Sequence, residues 1–167
     1  MKFASARLNY RLLEERDRDT FIALYQDPKV MRKIGPILSR DQAIEFFAKF
    51  LNSNSVRRPS QLLWIMHERN TENFVGIIML KSLDTVTDAE IGIMLLPTFS
   101  RREFGFEAVD KLIRFSHEKL GVTGFCANFD KGHKPVRQIL TRLGFCFTEQ
   151  QACGKSNQVR ATRESVV

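Results

Sequence analysis

The sequence predicts an α/β domain of the α+β kind, a mostly antiparallel sheet flanked by about four helices, and three observations predict it. Three runs rich in Ile, Leu and Val, at 62–68, 74–83 and 89–96, are split only by the turn-like RNTEN and DTVTD, so hairpins make them antiparallel neighbours. A strand and two apolar helical stripes precede that series, and the chain after it alternates helix, strand, helix, strand. With 167 residues and 43% hydrophobic content, the chain is long enough for one domain (1–167) with a real core, and it holds no internal repeat or low-complexity tract.

Taken in order, residues 7–13 (RLNYRLL) alternate as a strand does. DRDTFIALYQD places Phe21, Leu24 and Tyr25 on one helical face, and Asp27-Pro28 closes that helix because a residue before proline is driven out of the helical region. Ser39 with Gln42 three residues later forms a capping box, opening a helix over about 40–51 whose stripe is Ala43, Phe46, Phe47 and Phe50. It stops at the polar Asn52-Ser53-Asn54, and 52–60 reads as a loop. After the three strands come a helix over about 103–119, a strand at GFCANF (124–129), a helix over about 134–142 and a last strand at FCFTE. The tail, 151–167, is polar and is expected to be loosely ordered.

Twenty-six Lys and Arg against nineteen Asp and Glu give a formal charge of +7, which favours an anionic ligand. The basic residues are dispersed apart from pairs such as Arg57-Arg58 and Arg101-Arg102, so no polybasic arm announces nucleic acid. Cys126, Cys146 and Cys153 are odd in number and lack metal-ligand spacing, which argues against a disulfide framework and a metal site and fits a reducing cytoplasm. The start, MKFASARLNY, lacks the apolar core of a signal peptide, and no apolar run approaches a membrane span. A cytoplasmic protein without a membrane partner is expected.

Four stretches, in this order, carry a resemblance: RLNYRLLEERDRDTFIALYQDPKVMRKIG, AEIGIMLLP, FGFEAVDKLIRFSHEKLGV and VRQILTRLGF. Together they resemble the GNAT superfamily of N-acetyltransferases over roughly residues 5–150, and most closely the branch that includes the ribosomal-protein alanine and serine acetyltransferases. The resemblance implies a mixed, mostly antiparallel sheet of six to seven strands, splayed between its central strands. It also implies acetyl-CoA, or another acyl-CoA, as co-substrate, an amine acceptor that is a small molecule or a peptide N-terminus, and no metal.

In this family the turn after the central strand usually reads Gln/Arg-x-x-Gly-x-Gly/Ala, and its N–H groups bind the coenzyme A pyrophosphate at a helix N-terminus. Here the turn is Ser100-Arg101-Arg102-Glu103-Phe104-Gly105. Gly105 keeps the second glycine; Glu103 replaces the first. A Glu103 carboxylate facing the ligand would repel phosphate, whereas one in the first helical turn is simply helix-stabilising. Arg101 and Arg102 offer guanidinium groups suited to phosphate oxygens, so diphosphate binding is expected to use arginine more, and bare backbone less, than in relatives.

The resemblance further places the acyl thioester against the splayed edge at Ile93, Met94 and Leu95, where a backbone N–H can steady an oxyanion; the same aliphatic residues suit an ordinary core strand. Glu90 is where several relatives carry a carboxylate that deprotonates the amine through water, and it is equally a strand-end charge. His133 stands where many relatives have the asparagine that opens the last helix, either as a proton relay or as a helix cap. Asn128 and Asp130 fall near the acceptor mouth, or form a turn. The family's serine and general-acid tyrosine are replaced by Val136 and Leu140. Two classes of function follow: an acyltransferase, or a binding or regulatory protein keeping the fold without efficient cofactor use. A monomer or homodimer is expected, with exposed phenylalanines among the fourteen as the dimer contact.

Overall fold

Proline and polar caps delimit the first helices. Strand β2 (Leu8–Leu12) leads through a short 3-10 turn into α1 (Arg18–Gln26), which ends at Asp27. Pro28 then does a second job the sequence reading did not give it: at the first helical position it opens a one-turn helix, α2 (Pro28–Met31), whose N–H groups at Lys29 and Val30 donate to the Asp27 carboxylate. The Ser39–Gln42 capping box forms as expected, with Gln42 N donating to Ser39 Oγ at 3.2 Å and Ser39 N to Gln42 Oε1 at 2.9 Å. Helix α3 (Arg40–Asn54) nevertheless runs through the polar triad expected to end it. Ser53 Oγ donates to the Gln61 carbonyl at 2.6 Å, and the Asn54 amide exchanges hydrogen bonds with the Leu63 backbone, so these side chains tie the last turn to the sheet.

The structure, a computed structural model, describes residues 1–83, 89–100, 102–149 and 158–164. Its sheet is β1 (Lys2–Ala4), β2, β3 (Gln61–Glu68), β4 (Phe74–Lys81), β5 (Ala89–Leu95), β6 (Gly124–Asp130), β7 (Cys146–Glu149) and β8 (Gln158–Glu164), in the spatial order β1-β2-β3-β4-β5-β6-β8-β7. Every neighbouring pair is antiparallel except β5 and β6, which are parallel. The two remaining helices are α4 (Phe104–Leu120), closed by Gly121 in the left-handed region, and α5 (Lys134–Arg142).

Among the described residues the sheet has eight strands where six to seven were expected, and there are five α-helices where about four were expected. The tail reading is corrected over Gln158–Glu164. This segment inserts between β6 and β7, burying Val159 and Ala161 on alternate positions while its other side chains stay polar, which is why composition alone hid a strand there.

The core has two halves, one on each face of the sheet. Leu62, Trp64 and Met66 of β3 pack with Leu112 and Ile113 of α4 and Leu140 of α5; Leu63 and Ile65 pack with α1, α2 and α3. β5 alternates likewise, Met94 joining the second group and Ile93 and Leu95 the first. None of the fourteen phenylalanines is exposed, although six are half-buried, so the exposed phenylalanines expected as a contact between copies are not found. Stacks such as Phe3–Phe115 and the Phe21–Tyr25–Phe46–Phe47 group consume them.

Candidate active site

β5 has two unlike edges. Toward β4 it is paired at six positions, from Glu90 with Lys81 to Leu95 with Gly76. Toward β6 it is paired only at Ala89 with Phe125 and Glu90 with Cys126, after which the strands part. Cavities of about 890 Å³ and about 1050 Å³ open where they part, and both are lined by Ile93, Met94 and His133 and by Arg32, Lys33 and Ile34 of the loop after α2. They are two ends of one cleft. The unpaired β5 backbone edge is its floor.

In the smaller end, Asn128 Nδ2 of β6 donates to Glu90 Oε2 of β5 at 3.2 Å. The Asn128 carbonyl oxygen is buried without a partner. Asp130 accepts the Gly132 N–H at 2.8 Å and the Lys33 ammonium at 3.4 Å, and that backbone donor first, then Lys33, holds its carboxyl below the usual range. Lys33 thereby straps the loop after α2 to the end of β6. Tyr25, which the sequence marked only as helix-face apolar, also lines this end, and burial pushes its phenol pKa up.

Of the two roles the sequence left open for His133, the structure shows the helix cap. It caps α5, its Nδ1 accepting the Val136 N–H at 3.4 Å, and it lines the cleft from both ends. Burial holds its pKa below the ordinary value, so the ring is neutral at pH 7. With Nδ1 used as an acceptor, the neutral ring carries its proton on Nε2; inside the capped geometry it is a hydrogen-bond donor, not a base.

The larger end is lined by Ser100, Glu103, Gly105 and Phe106 from the turn and α4, by Leu95, and by one face of α5. Gly105 is needed for close approach: a Cβ there would lie 2.9 Å from Ile139 Cδ1. Glu103 caps α4 in the left-handed conformation, φ 63°, that glycine adopts freely, and makes no side-chain capping bond. The backbone path of a glycine turn is thus kept. Its carboxylate instead meets Arg142, Nη1 to Oε2 at 2.5 Å.

Arg102 and Phe104 are not among the residues lining either end. The Arg102 guanidinium lies 5.8 and 5.6 Å from the Phe99 and Phe104 ring centres, Phe104 is buried beneath the turn, and Arg101 lies outside the described residues. The basic side chains that do line this end are Lys29, Arg32, Lys33 and Arg142, none of which the sequence reading singled out. A signal existed for Arg142: Pro135, Gln138, Ile139 and Arg142 are spaced i, i+3, i+4, i+7 and all four line the cavity. Among the described residues, four basic groups against one carboxylate, beside an open apolar slot, make a donor set that fits a phosphate-bearing group.

Behind the turn, Glu107 fixes α4 to the start of the chain. Ser5 Oγ donates to Glu107 Oε1 at 2.6 Å, Arg7 N to Oε1 at 2.7 Å and Arg7 Nε to Oε2 at 2.7 Å, while the Arg7 guanidinium also reaches the Arg102 carbonyl at 2.9 Å. Burial alone would raise the Glu107 pKa; the Ser5 and Arg7 donors outweigh it and hold the carboxyl below its ordinary value.

Residues 7–146 match the family described as the acetyltransferase (GNAT) domain. Among solved structures, an acetyltransferase from Agrobacterium tumefaciens aligns with a TM-score of 0.83 at 14% identity, covering 99% of this chain and 95% of that one. The ribosomal L7/L12 α-N-protein acetyltransferase RimL, in complex with coenzyme A, aligns at 0.81 with 13% identity and 98% of both chains covered. Spermidine N-acetyltransferase from Vibrio cholerae, in complex with CoA and spermine, aligns at 0.78 with 17% identity, covering 95% and 96%. No curated protein matches the sequence significantly.

Proposed function

Since the chain belongs to the GNAT acetyltransferase family, we propose that it transfers an acetyl, or another acyl, group from a coenzyme A thioester to a primary amine by direct attack within a ternary complex. The observation that carries this reading is the two-position pairing of β5 with β6, which leaves a strand edge open to a cleft with a basic end and a Glu90-bearing end. A thioester laid along Ile93–Leu95 has its diphosphate among Arg142, Arg32 and the lysines, and its acyl group pointing toward Glu90.

An ammonium cannot attack, so a lysine amine (pKa about 10.4) or an α-amine (about 8) must first lose a proton. In this reading Glu90 receives it, through water, and Asn128 holds the carboxylate in place. His133, neutral and capping, donates from Nε2 toward the reacting carbonyl. Leu140 is buried where other branches have a tyrosine, so in this reading the sulfur departs as thiolate and takes its proton from water afterwards. The acceptor is a small amine or a peptide N-terminus in a cytoplasmic setting. No described helix is long and apolar enough to cross a membrane, and no metal-holding group occurs among the described residues.

Calorimetry with acetyl-CoA, followed by a thiol-release assay over a panel of amines, tests this. Micromolar binding and amine-dependent thiol release are expected. Absence of binding at millimolar ligand overturns the acyltransferase and leaves a fold-retaining binding protein, the reading that a carboxylate at position 103 favours.

A further inference from the structure

Glu103 is difficult to explain by local stability. It occupies a left-handed position suited to glycine and makes no capping bond. Among the described residues its one ion-pair partner is Arg142, and with side-chain exposures of 62% and 51% that pair contributes little to folding. Yet the contact is placed at the wall of the larger cavity, to which both residues belong.

Arg142 is held for a partner in that position. Its guanidinium carbon lies over the Phe106 ring, 4.0 Å from the ring centre, and it stands on the α5 face that lines the cavity. A guanidinium presents five N–H donors, and a carboxylate and a phosphate offer it the same kind of paired oxygens. We propose that Glu103 is an internal stand-in for phosphate: its carboxylate occupies Arg142 in the free protein and is displaced by the diphosphate of an incoming coenzyme A thioester. Arg142 is then a diphosphate-binding residue, and Glu103 sets how tightly the thioester is held. A diphosphate carries more charge and more acceptor oxygens than one exposed carboxylate, so the exchange favours the ligand. This rests on the acyltransferase reading above.

The test is a double-mutant cycle read by calorimetry with coenzyme A on the wild type, Glu103→Gln, Arg142→Ala and the double variant. Gln keeps the size of the side chain and removes its charge. Glu103→Gln is expected to tighten binding about two- to five-fold, the range that an exposed ion pair commands. Arg142→Ala is expected to weaken binding and to abolish the gain from Glu103→Gln. Dephospho-coenzyme A, which keeps the diphosphate and lacks the 3′-phosphate, should show the same gain. Both side chains are exposed, so the variants should keep the wild-type melting profile. An unchanged affinity in Glu103→Gln, a gain that persists without Arg142, or a gain confined to coenzyme A overturns the proposal while leaving the enzyme reading intact. Failure of all four proteins to bind coenzyme A overturns both.

Discussion

The two edges of β5 are made of the same residues and behave as opposites. On the β4 side, six paired positions leave so little room that a Cβ on Gly76 would lie 2.1 Å from the Met94 carbonyl oxygen. On the β6 side, two paired positions give way to a cleft in which Ile93, Met94 and Leu95 line open space. The first edge is closed by pairing and the second is left open to a cavity. Aliphatic side chains alone do not distinguish them; what distinguishes them is where neighbouring backbones are placed.

The harshest way to break this contrast is on the closed edge. Gly76→Val puts a branched side chain against backbone that cannot move without opening β4 from β5, and the β4 N-terminus also holds the Leu96 N–H through Val75 O at 2.9 Å. A loss of about 4 kcal/mol or more, enough to leave little folded protein, is expected. Urea unfolding followed by circular dichroism measures it; a variant as stable as wild type would show that the two edges are not so different.

On the open edge the large effect is on rate. Glu90→Gln preserves the shape beside Asn128 and removes the proton acceptor, so kcat should fall by about 10²-fold or more while the KM for acetyl-CoA stays near its wild-type value. A pH–rate profile whose acidic limb survives in the variant would assign the base elsewhere.

How much of this contrast could be read from the chain is itself instructive. The three hairpin strands, both long helices and the capping box were legible because apolar spacing and turn chemistry are local. The parting of β5 from β6 was reachable only through the family resemblance, since Ile93–Leu95 suit a fully paired strand equally well. β8 was missed because it hides two inward positions in a polar segment, and the end of α3 because Ser53 and Asn54 find partners far along the chain on β3. In the site, the sequence set Glu90 at the start of the central strand and Asn128 near the acceptor mouth, and the structure brings the two side chains into hydrogen-bond contact. The basic lining was less legible: Arg102 leans on the Phe99 and Phe104 rings, whereas Arg142 of α5 lines the cleft and meets Glu103.

Helix α4 repeats the contrast on a smaller scale, with Glu107 locked to the chain start and Glu103 facing the cleft. Glu107 has a folded pKa below its ordinary 4.5, so the stability it contributes is fully present above that value and is lost as pH falls through the folded one. Removing its charge in Glu107→Gln weakens three donor contacts and should cost about 1–3 kcal/mol at pH 7. The gap between variant and wild type should narrow as pH falls below the ordinary 4.5 and toward the lower folded value. Chemical denaturation at pH 7 and pH 3.5 checks this, and a gap independent of pH would mean that shape, not charge, makes the lock.

The smallest effect is expected at the glycine of the open side. A Cβ on Gly105 would come within 2.9 Å of Ile139 Cδ1 and 3.5 Å of Leu95 Cδ1, and both are the ends of side chains instead of backbone. Gly105→Ala should therefore cost about 1 kcal/mol, far less than the closed-edge variant, because Ile139 can turn aside. Ile139→Val removes the obstructing Cδ1 atom, so the double variant should regain stability relative to the sum of the single changes. Coenzyme A should still bind more weakly to Gly105→Ala, since the displaced Ile139 would move into the cavity proposed for the thioester. If the double variant is no better than additive, α5 and not the Ile139 side chain sets the width of the cleft, and the tolerance of the open edge lies in the helix as a body.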